Sequence, residues 1–179
     1  MHAAAHNWLT ATFRTLTPPP RRVVEYGGQD LNATARGMVL RLALPNAAWT
    51  SVDQMPGLGV DVVTAAEDYT PSEPPDLVVC AEVLEHAPNT SAAALCRQAH
   101  AILAPKGTLL VTCATEGRAP HSGRTGAPGP ERGEFYRNVS PTALATWLAE
   151  AGFADVECWV ETAHHDLYAV ARKGNEDPI

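Results

Sequence analysis

The chain has 179 residues, 45% of them hydrophobic and 18% charged, the length and composition of one compact domain with a continuous core, which excludes an intrinsically disordered chain. A formal charge of -7 argues against a dominant phosphate-binding face of Lys and Arg, so no nucleic-acid partner is expected. No apolar run approaches the roughly 20 residues that span a bilayer, and the start MHAAAHNWLT lacks the basic-then-apolar pattern of a secretory signal, so a membrane partner is not expected and the cytoplasm is the expected location.

Trp8, Leu9, Thr12, Phe13 and Leu16 recur at spacings of three and four, which predicts a short amphipathic helix ended by Pro18, Pro19 and Pro20, a helical cap over residues 1–20. Arg22 to Tyr26 reads as the first strand and runs into Gly27 and Gly28; a helix is expected from about Asn32 to Leu44, closed by Pro45. Ala48 to Asp53 and Gly59 to Thr64 read as the second and third strands. Asp76 to Cys80, an apolar run after SEPP, is the pattern of a fourth strand buried on both faces of a parallel sheet.

Thr90 to Leu103 is rich in helix formers and stops at Pro105-Lys106-Gly107, before a fifth strand, TLLVT. Residues 115–138, dense in Gly, Pro, Ser and Arg, are long enough for a functional lid rather than a simple connector. Ser140-Pro141 before TALATWLAEAGF supplies an N-cap, a proline at the first helical position and Gly152 past the end. Val156 to Glu161 and Leu167 to Arg172 predict a closing hairpin around TAHHD. A domain over 21–173 with a flexible tail at 174–179 completes the chain. Repeated strand–helix units ending in a hairpin predict an α/β three-layer, Rossmann-like sandwich with a mostly parallel seven-stranded sheet.

Open parallel sheets bind ligands beyond the carboxyl ends of their strands. Glu25-Tyr26-Gly27-Gly28 after the first strand can bring backbone close to a ligand. Asp53, some 25 positions after the glycine turn, can accept from both hydroxyls of a ribose, or can simply begin the turn DQMPG. Cys80, Cys96, Cys113 and Cys158 form no C-x-x-C pair and read as buried thiols. His164 and His165 are adjacent and read as the hairpin turn rather than a single-ion site, because strand neighbours point oppositely; no metal is expected.

The strand and glycine turn, the acid after strand two, DLVVCAEVLEH at 76–86 and LAPKGTLLVT together resemble the ordered motifs of class I S-adenosylmethionine-dependent methyltransferases of the small-molecule type, over about Arg22 to Arg172. The resemblance implies S-adenosyl-L-methionine as cofactor. It places Glu25, Tyr26, Gly27 and Gly28 beside its methionine part, Asp53 on its ribose, Ala66, Glu67 and Asp68 beside its adenine, and Cys80, Ala81 and Glu82 below its sulfonium. The turn EYGGQDL keeps one glycine of the family's E-x-G-x-G-x-G, with Gln29 and Leu31 where two others stand, and Ala65 replaces a frequent acid after strand three.

In-line methyl transfer depends on holding the nucleophile near the methyl carbon, with a base only where a proton must leave. His86 and His121 are the candidate bases; a His at a strand-to-helix junction more often fixes its loop through backbone contacts. Arg118, His121, Tyr136, Arg137 and Asn138 form a polar lid cluster suited to an anionic or hydroxylated acceptor, or a solvated loop. The acceptor is expected to be a small molecule or peptide-like. The altered glycine turn keeps open a silent binding module, and the shared strand–glycine–acid order keeps open a nicotinamide-dependent oxidoreductase, against which the missing G-x-G-x-x-G counts.

Overall fold

A computed structural model describes residues 3–30 and 36–175. Its elements are α1 (Ala3–Phe13), β1 (Arg22–Tyr26), α2 (Arg36–Ala43), β2 (Ala48–Asp53), β3 (Val62–Val63), β4 (Leu77–Ala81), α3 (Asn89–Ile102), β5 (Thr108–Ala114), α4 (Pro141–Glu150), β6 (Asp155–Glu161) and β7 (Asp166–Arg172). The strands form one sheet in the order β3-β2-β1-β4-β5-β7-β6. β1 to β5 run parallel and β7 is antiparallel to both β5 and β6, so the seven-stranded sheet with a closing hairpin is as predicted.

The apolar runs occupy the middle of the sheet because both faces there are covered. Every residue of β5 is buried, and alternate residues of the central strands serve two separate cores. Val24, Val78, Val111 and Ala169 pack with α3 and α4, while Val23, Val79, Leu110 and Val170 pack with Leu9 and Phe13 of α1 and Leu40 of α2. That two-sided division is the period of a strand written into a three-layer sandwich.

The boundaries depart from expectation at the edges. β3 shrinks from the predicted Gly59–Thr64 to two residues, since it is the outer strand and Val63 is 56% exposed. Helix α1 buries Ala5, Leu9 and Phe13 at intervals of four and ends before the prolines, where Thr15 N–H bonds to Thr12 O at 2.9 Å. Trp8 and Phe13 pack away from any ligand site: Trp8 stacks on Tyr168 at 4.7 Å and Phe13 meets Trp49 edge-on. Ser140 caps α4 as predicted, its Oγ accepting from Ala143 N–H at 3.1 Å. The predicted start of α2 at Asn32, Leu31 of the glycine turn and the end of the flexible tail lie outside the described residues. Among the described residues no helix is long and apolar enough to cross a membrane.

Candidate active site

The chain reverses its direction of strand addition between β1 and β4, and the loops leaving the carboxyl ends of β1, β2 and β4 there surround a cleft of about 610 Å3. Glu25, Gly27, Gly28, Asp53, Ala66, Glu67, Ala81 and Glu82 all line it. Asp53 joins two walls: Oδ2 accepts from Gln29 N–H at 3.3 Å and Oδ1 from Met55 N–H at 2.9 Å. The second of these bonds is an Asx turn, so Asp53 both opens the DQMPG turn and faces the cleft.

Three residues expected at the cofactor do not line the cleft, two of them, Tyr26 and Cys80, for reasons of strand parity. Tyr26 is 1% exposed and Cys80 3%; they are register partners on β1 and β4, and both point into the core under α3, where burial raises the thiol of Cys80 well above its usual range. Ala81, one residue on, reaches the cleft. Asp68 is exposed beside the lining rather than in it.

The glycine turn is close-packed by the protein itself. Gly27 has φ +72°, and a Cβ there would collide with Val83 Cγ2; a Cβ at Gly28 would collide with Ser51 Cβ. These glycines therefore serve the seating of the turn against β2 and the Val83 loop, in addition to keeping the cleft open.

Glu25 is 6% exposed. Its Oε2 accepts from Ser51 Oγ at 2.5 Å and from Trp49 Nε1 at 3.1 Å, fixing β1 to β2 below the turn. Burial raises its carboxyl above the ordinary 4.5 despite both hydrogen bonds. The fold thus favours the protonated form: this contribution to stability is complete below the ordinary value and is lost as pH rises through the folded one. Glu25→Gln, which keeps an acceptor oxygen without the charge, is expected to flatten the decline of unfolding free energy with rising pH. Urea titrations at several pH values check this, and parallel pH profiles for the two proteins would refute it.

On the other side, Glu82 follows β4, held at φ +60°, with its Oε1 accepting from Thr112 Oγ1 at 2.8 Å. The short turn Leu84–His86 follows, with Leu84 and Glu85 fully buried. Glu85 Oε1 accepts from Ala114 N–H at 3.2 Å. Burial first, and the Glu82 carboxylate second, push Glu85 up to about 8. His86 lines the cleft and is pushed down to about 4 by burial and by His121, so its imidazole is neutral at pH 7.

The predicted lid is a tied loop whose tip forms the fourth wall. Gly123, Arg124, Gly133, Glu134 and Phe135 line the cleft, whereas Arg118, His121, Tyr136 and Asn138 do not. Three of these, Arg118, Tyr136 and Asn138, hold the base of the loop, and His121 sits half-buried beside His86. Arg118 bonds Asp166 at 2.9 Å and His164 O at 2.7 Å, Asn138 Nδ2 donates to Arg118 O at 3.1 Å, and Tyr136 OH donates to Asn138 Oδ1 at 3.0 Å. Glu134, which sequence reading passed over, organises the tip, accepting from Ser122 Oγ and from Arg124 and Glu131 N–H. His164 and His165 form the β6–β7 turn as expected; His165 packs on Gly117.

Among the described residues acidic side chains dominate the lining, Asp30, Asp53, Glu67, Glu82 and Glu134 with the buried Glu25, against the cation Arg124. Such a cleft favours a ligand with cationic centres flanked by hydrogen-bond donors. Its volume falls in the roughly 300–1,000 Å3 range of small-molecule sites.

Solved structures share this architecture. SibL, an S-adenosylmethionine-dependent methyltransferase, superimposes with a TM-score of 0.65 at 20% identity over 94% of the chain, which spans only 55% of SibL. The 1,6-didemethyltoxoflavin-N1-methyltransferase of Burkholderia thailandensis, solved with bound 1,6-didemethyltoxoflavin and S-adenosylhomocysteine, gives 0.69 at 17% identity, covering 96% of this chain and 79% of that one. The N-methyltransferase NodS of Bradyrhizobium japonicum, solved with S-adenosylhomocysteine, gives 0.64 at 20% identity, covering 95% and 86%. No curated protein matches the chain in sequence. The family model described as a methyltransferase domain matches residues 2–158, which carry β1 to β5 and every lining residue of the cleft, and the chain therefore belongs to the methyltransferase domain family, in the class I fold whose cofactor is S-adenosyl-L-methionine.

Proposed function

We propose that the cleft binds S-adenosyl-L-methionine and that the chain transfers its methyl group to an oxygen, nitrogen or carbon nucleophile of a small-molecule or peptide-like acceptor. The observation that carries this reading is the convergence of Gly27, Asp53 and Glu82, from the ends of three adjacent strands, on one carboxylate-rich cleft. The donor set fits the cofactor. The Asp53 carboxylate can accept from ribose hydroxyls, the backbone at Gly27 and Gly28 adjoins the methionine end, and Ala66 and Glu67 border the base. The negative lining suits an ammonium and a sulfonium.

When bound, the cofactor supplies an electrophilic methyl group on a positively charged sulfur. The chain's own residues orient and enclose. Ala81, Glu82 and Val83 line the cleft after β4, the lid tip lines it through Gly123, Arg124 and Phe135 with Gly123 packed against the His86 ring, and the acceptor meets the cofactor within the cleft so enclosed. Holding two reactants in line there supplies much of the acceleration that such a displacement needs.

Calorimetric titration of S-adenosylhomocysteine tests the reading. Binding is expected for the parent chain, and Asp53→Ala is expected to weaken it about 10–150-fold, the loss of a hydrogen-bonded charged acceptor. Absence of binding at millimolar ligand would end the methyl-transfer reading. Binding without cofactor-dependent labelling of any acceptor in an extract would favour the silent module.

A further inference from the structure

Beside the cleft, behind His86, lies a group of donors that the methyl-transfer reading does not use. One carboxylate oxygen of Glu85 and one ring nitrogen each of His86 and His121 lie within 4.8 Å of one another. Two of the polar atoms here are buried without a hydrogen-bond partner: Glu85 Oε2, on a side chain 0% exposed, and His86 Nδ1. A buried polar atom left without a partner is destabilising, and both of these belong to residues of the one cluster.

We propose that Glu85, His86 and His121 bind a divalent transition-metal ion, of the zinc, manganese or iron(II) type, on the wall of the cleft. The donor set of two imidazoles and one carboxylate suits these ions. An ion at bond lengths near 2.1 Å draws its ligand atoms to about 3.4 Å apart, so closure by little more than an ångström completes the site. His121 can supply it, because it sits half-buried on the lid loop rather than in the sheet.

The surroundings already orient the ligands. Nδ1 of His121 lies 3.3 Å from Ala119 O; with the proton on Nδ1, this bond leaves the Nε2 lone pair for a metal, the usual outer-shell arrangement of a ligating histidine. The Tyr136 ring abuts both imidazoles edge-on, at 5.5 Å from His86 and 4.9 Å from His121. Glu85 is held through its second oxygen by Ala114 N–H and through its carbonyl by Arg137 N–H at 2.9 Å. The pair His164–His165 shows the contrast: its Nδ1 atoms lie against Glu161 Oε2 and Glu116 O in the open.

Three protein ligands leave further coordination positions for water or for a donor atom of the acceptor. That last role rests on the methyl-transfer reading; binding of the ion does not.

The test is titration of the metal-free full chain with Co2+, followed by visible absorption and calorimetry. One equivalent is expected to bind with the bands of nitrogen and oxygen ligation and without a thiolate charge-transfer band. His121→Ala, at a half-exposed loop position, and the isosteric Glu85→Gln are each expected to weaken binding by roughly 10–100-fold or more. No binding, a thiolate band, or an affinity unchanged in His121→Ala would overturn the proposal, and the loop variant decides alone should Glu85→Gln fail to fold. Titration of S-adenosylhomocysteine into metal-free protein tells failure here apart from failure of the cofactor reading.

Discussion

Alanine at Gly27 is expected to destabilise the fold by about 2–4 kcal/mol, combining the strain of a side chain at positive φ with the displacement of Val83. The two causes act at one point. Gly27 has φ +72°, and the position a Cβ would take is occupied by Val83 Cγ2, so relief by rotation on one side is blocked by a neighbour on the other. Gly27 N–H also bonds Val52 O at 2.9 Å, and a shifted turn would break this tie. Affinity for S-adenosylhomocysteine should fall with stability, because the same turn lines the cleft. Urea unfolding with a binding titration on the same sample measures both, and a loss below about 0.5 kcal/mol would show that the turn yields more easily than this packing implies.

The second large effect is expected in the middle of the EVLEH segment. Leu84 is 0% exposed and packs in the core under α3 with Tyr26, Cys80 and Leu95. Leu84→Ala is expected to cost about 2–5 kcal/mol through lost burial and the cavity left behind. For a chain of this length that corresponds to a fall in melting temperature on the order of 5–20 °C. A melting temperature within about a degree of the parent would mean that the turn at 84–86 collapses to fill the space.

Strands buried on both faces appear as unbroken apolar runs, so β1, β2, β4, β5 and the hairpin were found within a residue or two, and the closing antiparallel pair was correct. Asp53 and the glycine turn were legible because position after a strand suffices to put a residue at a parallel sheet's carboxyl edge. Side-chain direction was harder. Reading Cys80 and Tyr26 into the cleft ignored the parity that turns Val24 and Val78, two residues before each, toward α3.

The lid shows a different limit. Arg118, Tyr136 and Asn138 looked like acceptor contacts because polar residues on a loop have no preferred direction in sequence, yet they close the loop's base through Asp166 and the carbonyl of Arg118. The approach of His121 to Glu85 and His86 was invisible for the same reason. It depends on how a loop between β5 and α4 folds back over another that follows β4, and neither carries the spacing of a metal motif. Glu134 was missed because a carboxylate in a Gly-rich loop gives no signal that it will collect three hydrogen bonds.

The stack of Trp8 on Tyr168 has a consequence for assembly. A helix near one end of the described chain meets its aromatic partner on the strand nearest the other end, so the contact spans most of the sequence and closes a very large loop. During synthesis α1 leaves the ribosome long before β7 exists, and one sheet face must wait partly uncovered until the final hairpin arrives. The stack itself is therefore a late, long-range contact, and a nascent chain stalled before Leu167 would leave Trp8 without its stacking partner.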